Sequence, residues 1–168
     1  HGVEVVESVL EKLKDGEPHF WEKGLAKDLK RTLQTKNFSV SNDLSDMSAA
    51  SVYIITVGTP LGPNGEARLD MIAKATEQIS GHIQDGALVV LRSTVRIGTA
   101  RAVVKPILDK TGKRYEIAVC PERTLEGNAI AELTGLPQMI GADNAETSYR
   151  ASQLCSALTA PTAQGGSL

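Results

Sequence analysis

The sequence is poor in cysteine, with only Cys120 and Cys155 among its 168 residues. Two cysteines are too few for a disulfide framework, and their separation is not that of metal ligands. Free cysteine most often serves as a buried apolar residue, and we predict that role for both thiols. We therefore expect a protein of a reducing, cytoplasmic setting, without a metal site.

An excess of charge and a long apolar run are also missing. The 18 basic and 20 acidic residues give a formal net charge of −2, so composition gives no reason to expect a nucleic acid or an anionic membrane as a partner. No apolar run approaches the roughly 20 residues that cross a bilayer. The opening HGVEVVESVLEKLKDGEPHF is charged almost at once, which is not typical of a signal peptide.

What the chain does contain is a regular alternation of strand-like and helix-like segments. Hydrophobic residues make up 41% and charged residues 23%, as in a globular domain. Strands are predicted in GVEVVE, FSVSND, SVYIITV, GALVVLRST, RYEIAVC and PQMIGAD, with helices between them. This order predicts an α/β fold, a Rossmann-like doubly wound and mostly parallel sheet with helices on both faces. We assign residues 1–160 to this partial dinucleotide-binding domain and the small, polar residues 161–168 to a linker.

Several residues predict where the helices begin. Ser8 is a plausible N-cap of the first helix, Asp70 plausibly caps the third, and the last helix begins near Asn144 or Ala145. Pro106 predicts a kink or a late start in the helix that contains it, because proline lacks a backbone N–H.

Three loops with unusual residues follow predicted strands: VGTPLGPNG at 57–65, RSTVRIGT at 92–99 and CPERTLEG at 120–127. In open parallel sheets, ligands bind beyond the carboxyl ends of the strands, where helix N-termini and loop amides point outward. We therefore predict that the three loops gather at one edge of the sheet and form a site.

In their order along the chain, VYIITVGTPLGPNGEARLD, LVVLRSTVRIGT and CPERTLEGNAIAEL resemble the cofactor domain of the nucleotide-sugar dehydrogenases, the UDP-glucose, UDP-N-acetylmannosamine and GDP-mannose dehydrogenase family. The resemblance spans nearly the whole chain. It implies oxidation of the C6 alcohol of a UDP-sugar to a carboxylate in two NAD-dependent steps, through an aldehyde and a cysteine thioester, in polysaccharide biosynthesis. PERTLEGNAI looks closer to the N-acetylhexosamine branch than to the others.

The resemblance also implies which residues hold the cofactor. Glu4 matches the acidic residue at the end of the second strand that accepts the adenosine ribose hydroxyls, and a carboxylate there favours NAD over NADP. Thr59 and Pro60 match the turn that passes the cofactor. Thr94 matches a hydroxyl near the nicotinamide and the reacting carbon.

Catalytic and substrate roles follow from the same resemblance. Thr94 and Glu122 match the catalytic positions, with Glu122 as the carboxylate that positions a water; a carboxylate in a dry cleft suits general-base work. The loop that lies over the substrate matches four consecutive residues, Arg123, Thr124, Leu125 and Glu126.

Each of these residues also has a purely structural interpretation. Thr59 and Pro60 form an ordinary turn motif, and Thr94 could be an N-cap or a strand-end hydroxyl. Glu122 and Arg123 could form a surface ion pair, which stabilises little, and Glu4 could be an exposed strand-end carboxylate. The three histidines show no partner pattern, and we interpret them as structural or surface residues.

The chain departs from the family pattern in several places. The G-x-G-x-x-G turn of the first strand is missing, and so are the motifs of the nucleophilic cysteine and the catalytic lysine. Arg92 and Arg96 stand where an acidic residue and a proline are expected, and Ala142 stands where a second glycine is usual. We therefore expect no turnover by this chain alone and a weak or lost affinity for NAD.

The first strand is central in a doubly wound sheet, so its absence would leave unpaired backbone groups on both sides. Each buried unpaired group costs about 1–3 kcal/mol. We predict that the gap closes by a changed strand order or by strand exchange between subunits of a homo-oligomer. The alternative to an enzyme domain is a truncated remnant that acts as a binding or oligomerisation module, and a third hypothesis is complementation by separate chains.

Overall fold

The computed structural model describes residues 1–45, 49–158 and 162–164, the last of these by backbone only. The chain forms two compact units. The first, which we call the N-unit, contains residues 1–47 and 124–134, and the second, the sheet unit, contains residues 48–123 and 135–168. The domain predicted over residues 1–160 therefore contains two compact units, a division that no local sequence pattern indicates.

The sheet unit is built on five strands that pair in chain order. These are β3 (Val52–Ile55), β4 (Ala87–Leu91), β5 (Tyr115–Val119), β6 (Gln138–Ala142) and β7 (Thr162–Gln164). The pairs β3–β4, β4–β5 and β6–β7 are parallel, whereas β5–β6 is antiparallel. All five residues of β4 are buried, which explains why that strand has no polar alternation.

The helices of the sheet unit are α3 (Asp70–Ser80), α4 (Lys105–Asp109) and α6 (Ala145–Ser156). A π-helical segment, Ala100–Val104, leads directly into α4, and the Lys105 amide donates to the carbonyl of Ala100, five residues earlier. Pro106 lies directly after this π-helical segment, inside one continuous helical run. The predicted late start at Pro106 is therefore wrong, and the alternative of a kink stays a prediction.

One apolar cluster packs the sheet against α6. Its buried members are Leu88, Val90, Ala118, Cys120, Ile140, Ala151 and Cys155. Each fully buried aliphatic side chain of this kind stabilises the fold by about 1.5–3 kcal/mol. The prediction that both cysteines are buried apolar thiols is confirmed.

In residues 1–45 and 124–134, the N-unit contains a two-stranded parallel sheet and three α-helices. Its elements are β1 (Gly2–Val3), β2 (Val40–Ser41), α1 (Glu7–Lys14), α2 (Leu25–Gln34) and α5 (Ala129–Gly135). Leu10 of α1 and Leu29 of α2 are the buried apolar residues of their helices. Gly16 follows α1 with φ of 75°, a left-handed conformation that glycine adopts without strain.

Several boundaries differ from the sequence-based prediction. Helix α1 begins at Glu7 after Val6, not after Ser8, and Asp70 is the first residue of α3 instead of its cap. Asn144 does cap α6, because its side chain accepts a hydrogen bond from the Thr147 amide at 2.8 Å. Residues 162–164 form β7 where we predicted a linker; the rest of that segment lies outside the described residues.

The predicted fold class is confirmed, since the described chain is α/β with mostly parallel sheets of the Rossmann-like kind. The predicted rearrangement of strands is wrong for the described residues. The pairings β2–β1 and β3–β4–β5 reproduce the two halves of the ordinary doubly wound order. Strand β3 is an edge strand of its sheet. Strand exchange between subunits stays a prediction.

Candidate functional site

A cavity of about 380 Å³ lies at the carboxyl ends of the strands of the sheet unit. Pockets of a few hundred Å³ in this position are the usual ligand sites of open α/β sheets. The lining comes from Thr56, directly after β3, and from the three loops that the sequence singles out: Val57, Gly58, Thr59, Arg92, Ser93, Thr94 and Glu122.

The register of the sheet explains why these loops meet. Ile55 of β3 pairs with Leu91 of β4, and Leu91 pairs with Val119 of β5. The three parallel strands therefore end at the same level, and the loop after each strand starts at the same edge. Two loop-starting amides continue the ladder: Arg92 donates to the Ile55 carbonyl and Cys120 donates to the Leu91 carbonyl, each at 2.9 Å.

Two hydroxyl groups tie the first loop to the second. The Ser93 hydroxyl donates to the Val57 carbonyl at 2.6 Å, and the Thr59 hydroxyl donates to the Thr94 carbonyl at 2.8 Å. Ser93 is 6% exposed, so its bond gives a buried hydroxyl the partner that such groups require. These bonds fix the relative positions of Thr59 and Thr94, which the sequence assigns to the cofactor.

Arg92 organises the third loop. Its Nη2 contacts Glu122 Oε2 at 2.5 Å, while its Nη1 donates to Gln138 Oε1 at 3.0 Å and to the Cys120 carbonyl at 3.2 Å. The side chain of Arg92 is 17% exposed and that of Glu122 is 37% exposed. A charge-assisted contact of this kind holds a carboxylate in a fixed direction at the mouth of the cavity.

The backbone reinforces the position of Glu122. The Glu122 amide donates to the Arg92 carbonyl at 3.0 Å, and the Arg123 amide donates to Glu122 Oε1 at 2.7 Å. Both carboxylate oxygens therefore have partners within the sheet unit. The alternative that Glu122 pairs with Arg123 through their side chains is not what the structure shows; the Arg123 guanidinium instead donates to the Pro137 carbonyl at 3.2 Å.

The two cysteines lie directly behind this loop. Both thiols belong to the same buried cluster. Interaction with the Cys120 thiol lowers the pKa of Cys155 to about 7; burial opposes the shift and the charge of Arg92 assists it. The same interaction, together with burial, raises the pKa of Cys120. An anion on Cys155 would thus be stabilised by a neighbouring thiol donor.

The other residues predicted for the site do not line this cavity. Pro60 follows Thr59 and its carbonyl accepts the Arg68 amide at 2.9 Å. Glu4 lies in the N-unit just after β1, and its Oε1 accepts the Val6 amide at 2.8 Å.

The remaining substrate residues also belong to the N-unit. Residues 124–126 lead towards α5, and the Leu125 amide donates to Glu132 Oε2 at 2.8 Å. The side chain of Leu125 is 69% exposed. Glu126 is also exposed, whereas Thr124 is half-buried.

Sequence reasoning did not assign site roles to Arg92, Ser93 and Gln138. Arg92 was noted only as a departure from the family pattern. The available signal was the charged Arg92 directly after the continuous apolar run ALVVL. A charged side chain that is buried at the end of such a strand requires a partner of opposite charge or a hydrogen-bond acceptor. Gln138 gave no signal, since it lies 46 residues from Arg92 and comes near only through the antiparallel pairing of β5 with β6.

Across residues 1–45 and 49–158 there is no group of three His, Cys, Asp or Glu side chains that could hold a metal ion. In the same part of the chain, none of the helices combines the length and the apolar character that spanning a bilayer requires.

Comparison with known proteins assigns a family to this arrangement. Residues 1–159 match the model of the UDP-glucose/GDP-mannose dehydrogenase family, NAD binding domain. The chain belongs to this family. The UDP-N-acetyl-D-mannosamine dehydrogenase of Methanococcus aeolicus is 31% identical over 157 residues, which are 91% of this chain and 35% of that protein. The UDP-glucose 6-dehydrogenase of Bacillus subtilis is 31% identical over 163 residues, or 94% and 34%.

Solved structures of the family share the fold. A UDP-glucose dehydrogenase of Pyrobaculum islandicum superposes with a TM-score of 0.91 at 28% identity, covering 98% of this chain and 40% of that one. The same TM-score, identity and coverage hold for a ternary complex of the GDP-mannose dehydrogenase of Pseudomonas aeruginosa. The chain spans about a third of the length of the curated relatives that it matches. The resemblance read from the three loops is thereby confirmed.

Proposed function

We propose that this chain binds NAD as part of a nucleotide-sugar 6-dehydrogenase, which oxidises the C6 alcohol of a UDP-sugar to a carboxylate. The observation that carries the proposal is the meeting of Thr59, Thr94 and Glu122 in one cavity at the carboxyl edge of a parallel sheet. Family membership supplies the nicotinamide cofactor, and the cavity supplies a place where such a cofactor would meet an alcohol.

The residues present fit the nicotinamide end of NAD. Gly58 has open space where a side chain would stand, and the flanking Thr59 and Thr94 place polar groups along the cavity wall. When bound, NAD accepts a hydride from the alcohol carbon. Thr59, Pro60 and Thr94 would hold and orient the cofactor, and Glu4 would accept hydrogen bonds from the adenosine ribose hydroxyls.

Glu122 would act as a fixed acceptor beside the reacting carbon. Arg92 neutralises its charge and sets its direction, so the carboxylate can orient a water or an alcohol proton without swinging away. We infer that Arg123, Thr124, Leu125 and Glu126 contact a UDP-sugar of the N-acetylhexosamine kind, as the name of the Methanococcus aeolicus relative suggests. A role in polysaccharide biosynthesis and a cytoplasmic location accord with this substrate and with the buried free thiols.

The alternative function is a binding or oligomerisation module without catalysis. The edge position of β3 favours it, because an edge strand offers backbone groups to a strand from another chain. Under this alternative the partner is a second copy of the chain, and the cavity has no role in NAD binding. Sedimentation at several concentrations separates the two proposals, since only the module requires association.

Isothermal titration calorimetry with NAD tests the first proposal. We expect weak binding, in the range of tens of micromolar or weaker, because residues for the pyrophosphate turn are missing. Thr94→Val should weaken that binding several-fold, whereas substitution of the exposed Thr35 that follows helix α2 in the N-unit, Thr35→Val, should leave it unchanged. Equal NAD affinity for both variants would refute the assignment of the cavity to NAD. Sub-micromolar binding would show that another segment replaces the missing turn.

A further inference from the structure

Strand β6 begins at the edge of the sheet where the parallel strands end, because it runs antiparallel to β5. Val119 of β5 pairs with Gly141 of β6, and the same register, continued beyond this pair, sets Gln138 opposite Glu122. Gln138 is the first residue of β6 and is 7% exposed. A buried polar side chain therefore stands at this edge, outside the residues that line the cavity assigned to NAD.

One guanidinium joins Gln138 to Glu122. Arg92 Nη1 donates to Gln138 Oε1 at 3.0 Å, and its Nη2 donates to Glu122 Oε2. Arginine can only donate, so the amide oxygen of Gln138 and not its nitrogen faces Arg92. Because a guanidinium is planar and rigid, an acceptor that fixes Nη1 also fixes the direction of Nη2.

Gln138 accepts this hydrogen bond without carrying a charge. The Arg92 guanidinium has two neutral acceptors, Gln138 and the Cys120 carbonyl, and forms its ion pair with Glu122. A carboxylate at position 138 would compete with Glu122 for the one positive charge of Arg92. A neutral acceptor instead anchors the guanidinium and leaves its charge to Glu122.

A second arginine ties the same two segments together. The Arg123 guanidinium donates to the Pro137 carbonyl, directly before Gln138, at 3.2 Å. The Arg123 amide donates to Glu122 Oε1 at 2.7 Å. The carboxylate of Glu122 is thus held on both oxygens by residues that are themselves attached to the start of β6.

We propose that Gln138 is a positioning residue for Glu122. It anchors the Arg92 guanidinium as a neutral acceptor, so that the guanidinium keeps the carboxylate in the direction that orients a reactant. The inference rests on the proposed function, because that function gives Glu122 its reactant. Removal of the acceptor at position 138 should therefore loosen first Arg92 and then Glu122, while the strands keep their pairing.

Two variants of Gln138 separate the acceptor from its neutrality. Gln138→Met keeps an unbranched side chain of similar size but offers Arg92 only a weakly accepting sulfur. Gln138→Glu keeps a strong acceptor and adds a charge. Gln78→Met, on the exposed face of helix α3, is the matched control. Circular dichroism and urea unfolding verify that all three variants are folded.

Heteronuclear NMR of the arginine side chains reports the anchor directly. The Arg92 signals are identified by their absence from the spectrum of Arg92→Lys. Loss of a hydrogen bond of ordinary strength should make rotation of the Arg92 guanidinium about fivefold faster in Gln138→Met, with no change in Gln78→Met. Arg150, whose guanidinium also pairs with a carboxylate, is the internal reference and should rotate at the same rate in every variant.

The Arg123 amide proton reports the position of Glu122, since it donates to that carboxylate. Its exchange with solvent should become about fivefold faster in Gln138→Met. In Gln138→Glu the amide should also exchange faster while rotation of Arg92 stays slow, a separation that a merely structural role of Gln138 would not produce. Unchanged Arg92 rotation and Arg123 exchange in folded Gln138→Met would overturn the proposal, and wild-type amide exchange in Gln138→Glu would overturn the role of neutrality.

Calorimetry with NAD on wild type and Thr94→Val keeps this inference apart from the proposed function. If NAD binding depends on Thr94 but the Arg92 signals do not respond to Gln138→Met, the positioning role fails and the proposed function stands. If NAD does not bind while the Arg92 and Arg123 signals respond as expected, the proposed function fails and the anchoring of Glu122 by Gln138 stands.

Discussion

Glu22 and Glu122 are two carboxylates with opposite surroundings. Glu122 is part-exposed, and both of its oxygens have partners, Arg92 and the Arg123 amide. Glu22 is almost fully buried, yet one of its oxygens has no partner in the described chain. The part-exposed group is thus held by two partners within the chain, whereas the buried one is held by a single backbone amide.

The two environments suit these carboxylates to different roles. A carboxylate paired with arginine is held ready to orient a reactant, since its charge is balanced before anything binds. A buried carboxylate that accepts a backbone amide from a distant segment holds the two segments together. We therefore interpret Glu122 as a group for chemistry and Glu22 as a structural group.

Removal of Arg92 should give the largest effect on stability. Arg92→Leu leaves Glu122, the Gln138 side chain and the Cys120 carbonyl without their donor, and we expect a loss of about 2–4 kcal/mol in the free energy of unfolding. Urea unfolding measures it. Arg92→Lys keeps the charge and should lose less, about 1–2 kcal/mol. A loss below 0.5 kcal/mol for Arg92→Leu would mean that water replaces every contact.

Truncation of Glu22 should give a smaller effect. Glu22→Ala removes the acceptor of the Gly127 amide and leaves a hole, so we expect a loss of about 1–3 kcal/mol. Glu22→Gln should stay within about 0.5 kcal/mol of wild type, because it keeps that bond and buries no charge. If Glu22→Gln were as unstable as Glu22→Ala, Oε1 would have a structural partner and the contrast with Glu122 would disappear.

The cysteine pair should give the smallest effect, and one that depends on pH. The pKa of Cys155 is lowered from 9.0 to about 7 in the folded protein. The resulting stabilisation is complete above the unfolded pKa and is lost as pH falls through 7. Between pH 6 and pH 8.5 we expect wild type to gain about 1–2 kcal/mol relative to Cys155→Ala, allowing for the opposing cost of burying an anion.

Urea unfolding at several pH values checks this expectation. Cys120→Ala removes the donor that lowers the pKa of Cys155, so it should abolish the same pH dependence although Cys155 is still present. The pKa of Cys120 is raised in the folded protein, so above pH 9 ionisation of this thiol favours unfolding. The measurements are therefore made below pH 9. If the free energy of unfolding changed with pH in the same way for wild type and both variants, the two thiols would not share a proton.

Much of the sheet unit could be predicted from local sequence. The apolar runs of β3, β4 and β5 predict three parallel strands. A parallel arrangement in turn predicts that Thr59, Thr94 and Glu122 lie at the carboxyl edge of the sheet, as they do. Boundaries were less certain: Ser8 does not cap α1, whereas Asn144 caps α6. Ser8 and Asn144 are both polar residues near a helix start, and both fit the N-cap pattern. The local backbone conformation decides whether such a side chain can accept an amide hydrogen bond.

The N-unit was harder to predict, because its contacts join distant parts of the chain. The bond between Glu22 and Gly127 spans 105 residues, and nothing in either local sequence marks it. Likewise, Gln138 reaches Arg92 because β6 runs antiparallel to β5, where the alternation of strands and helices predicted a parallel neighbour. Sequence periodicity indicates which face of a helix or strand is buried, but it does not indicate which residues pack against that face.

Local sequence patterns specify the fold class, the family and the three loops that carry the site, since all of these depend on burial patterns and turn residues. The pairing of the charges depends instead on the folded chain. Arg92 binds Glu122 and Glu22 binds Gly127 because the energy of a buried charge depends on every group within a few ångströms, and those groups come from segments far apart in the chain.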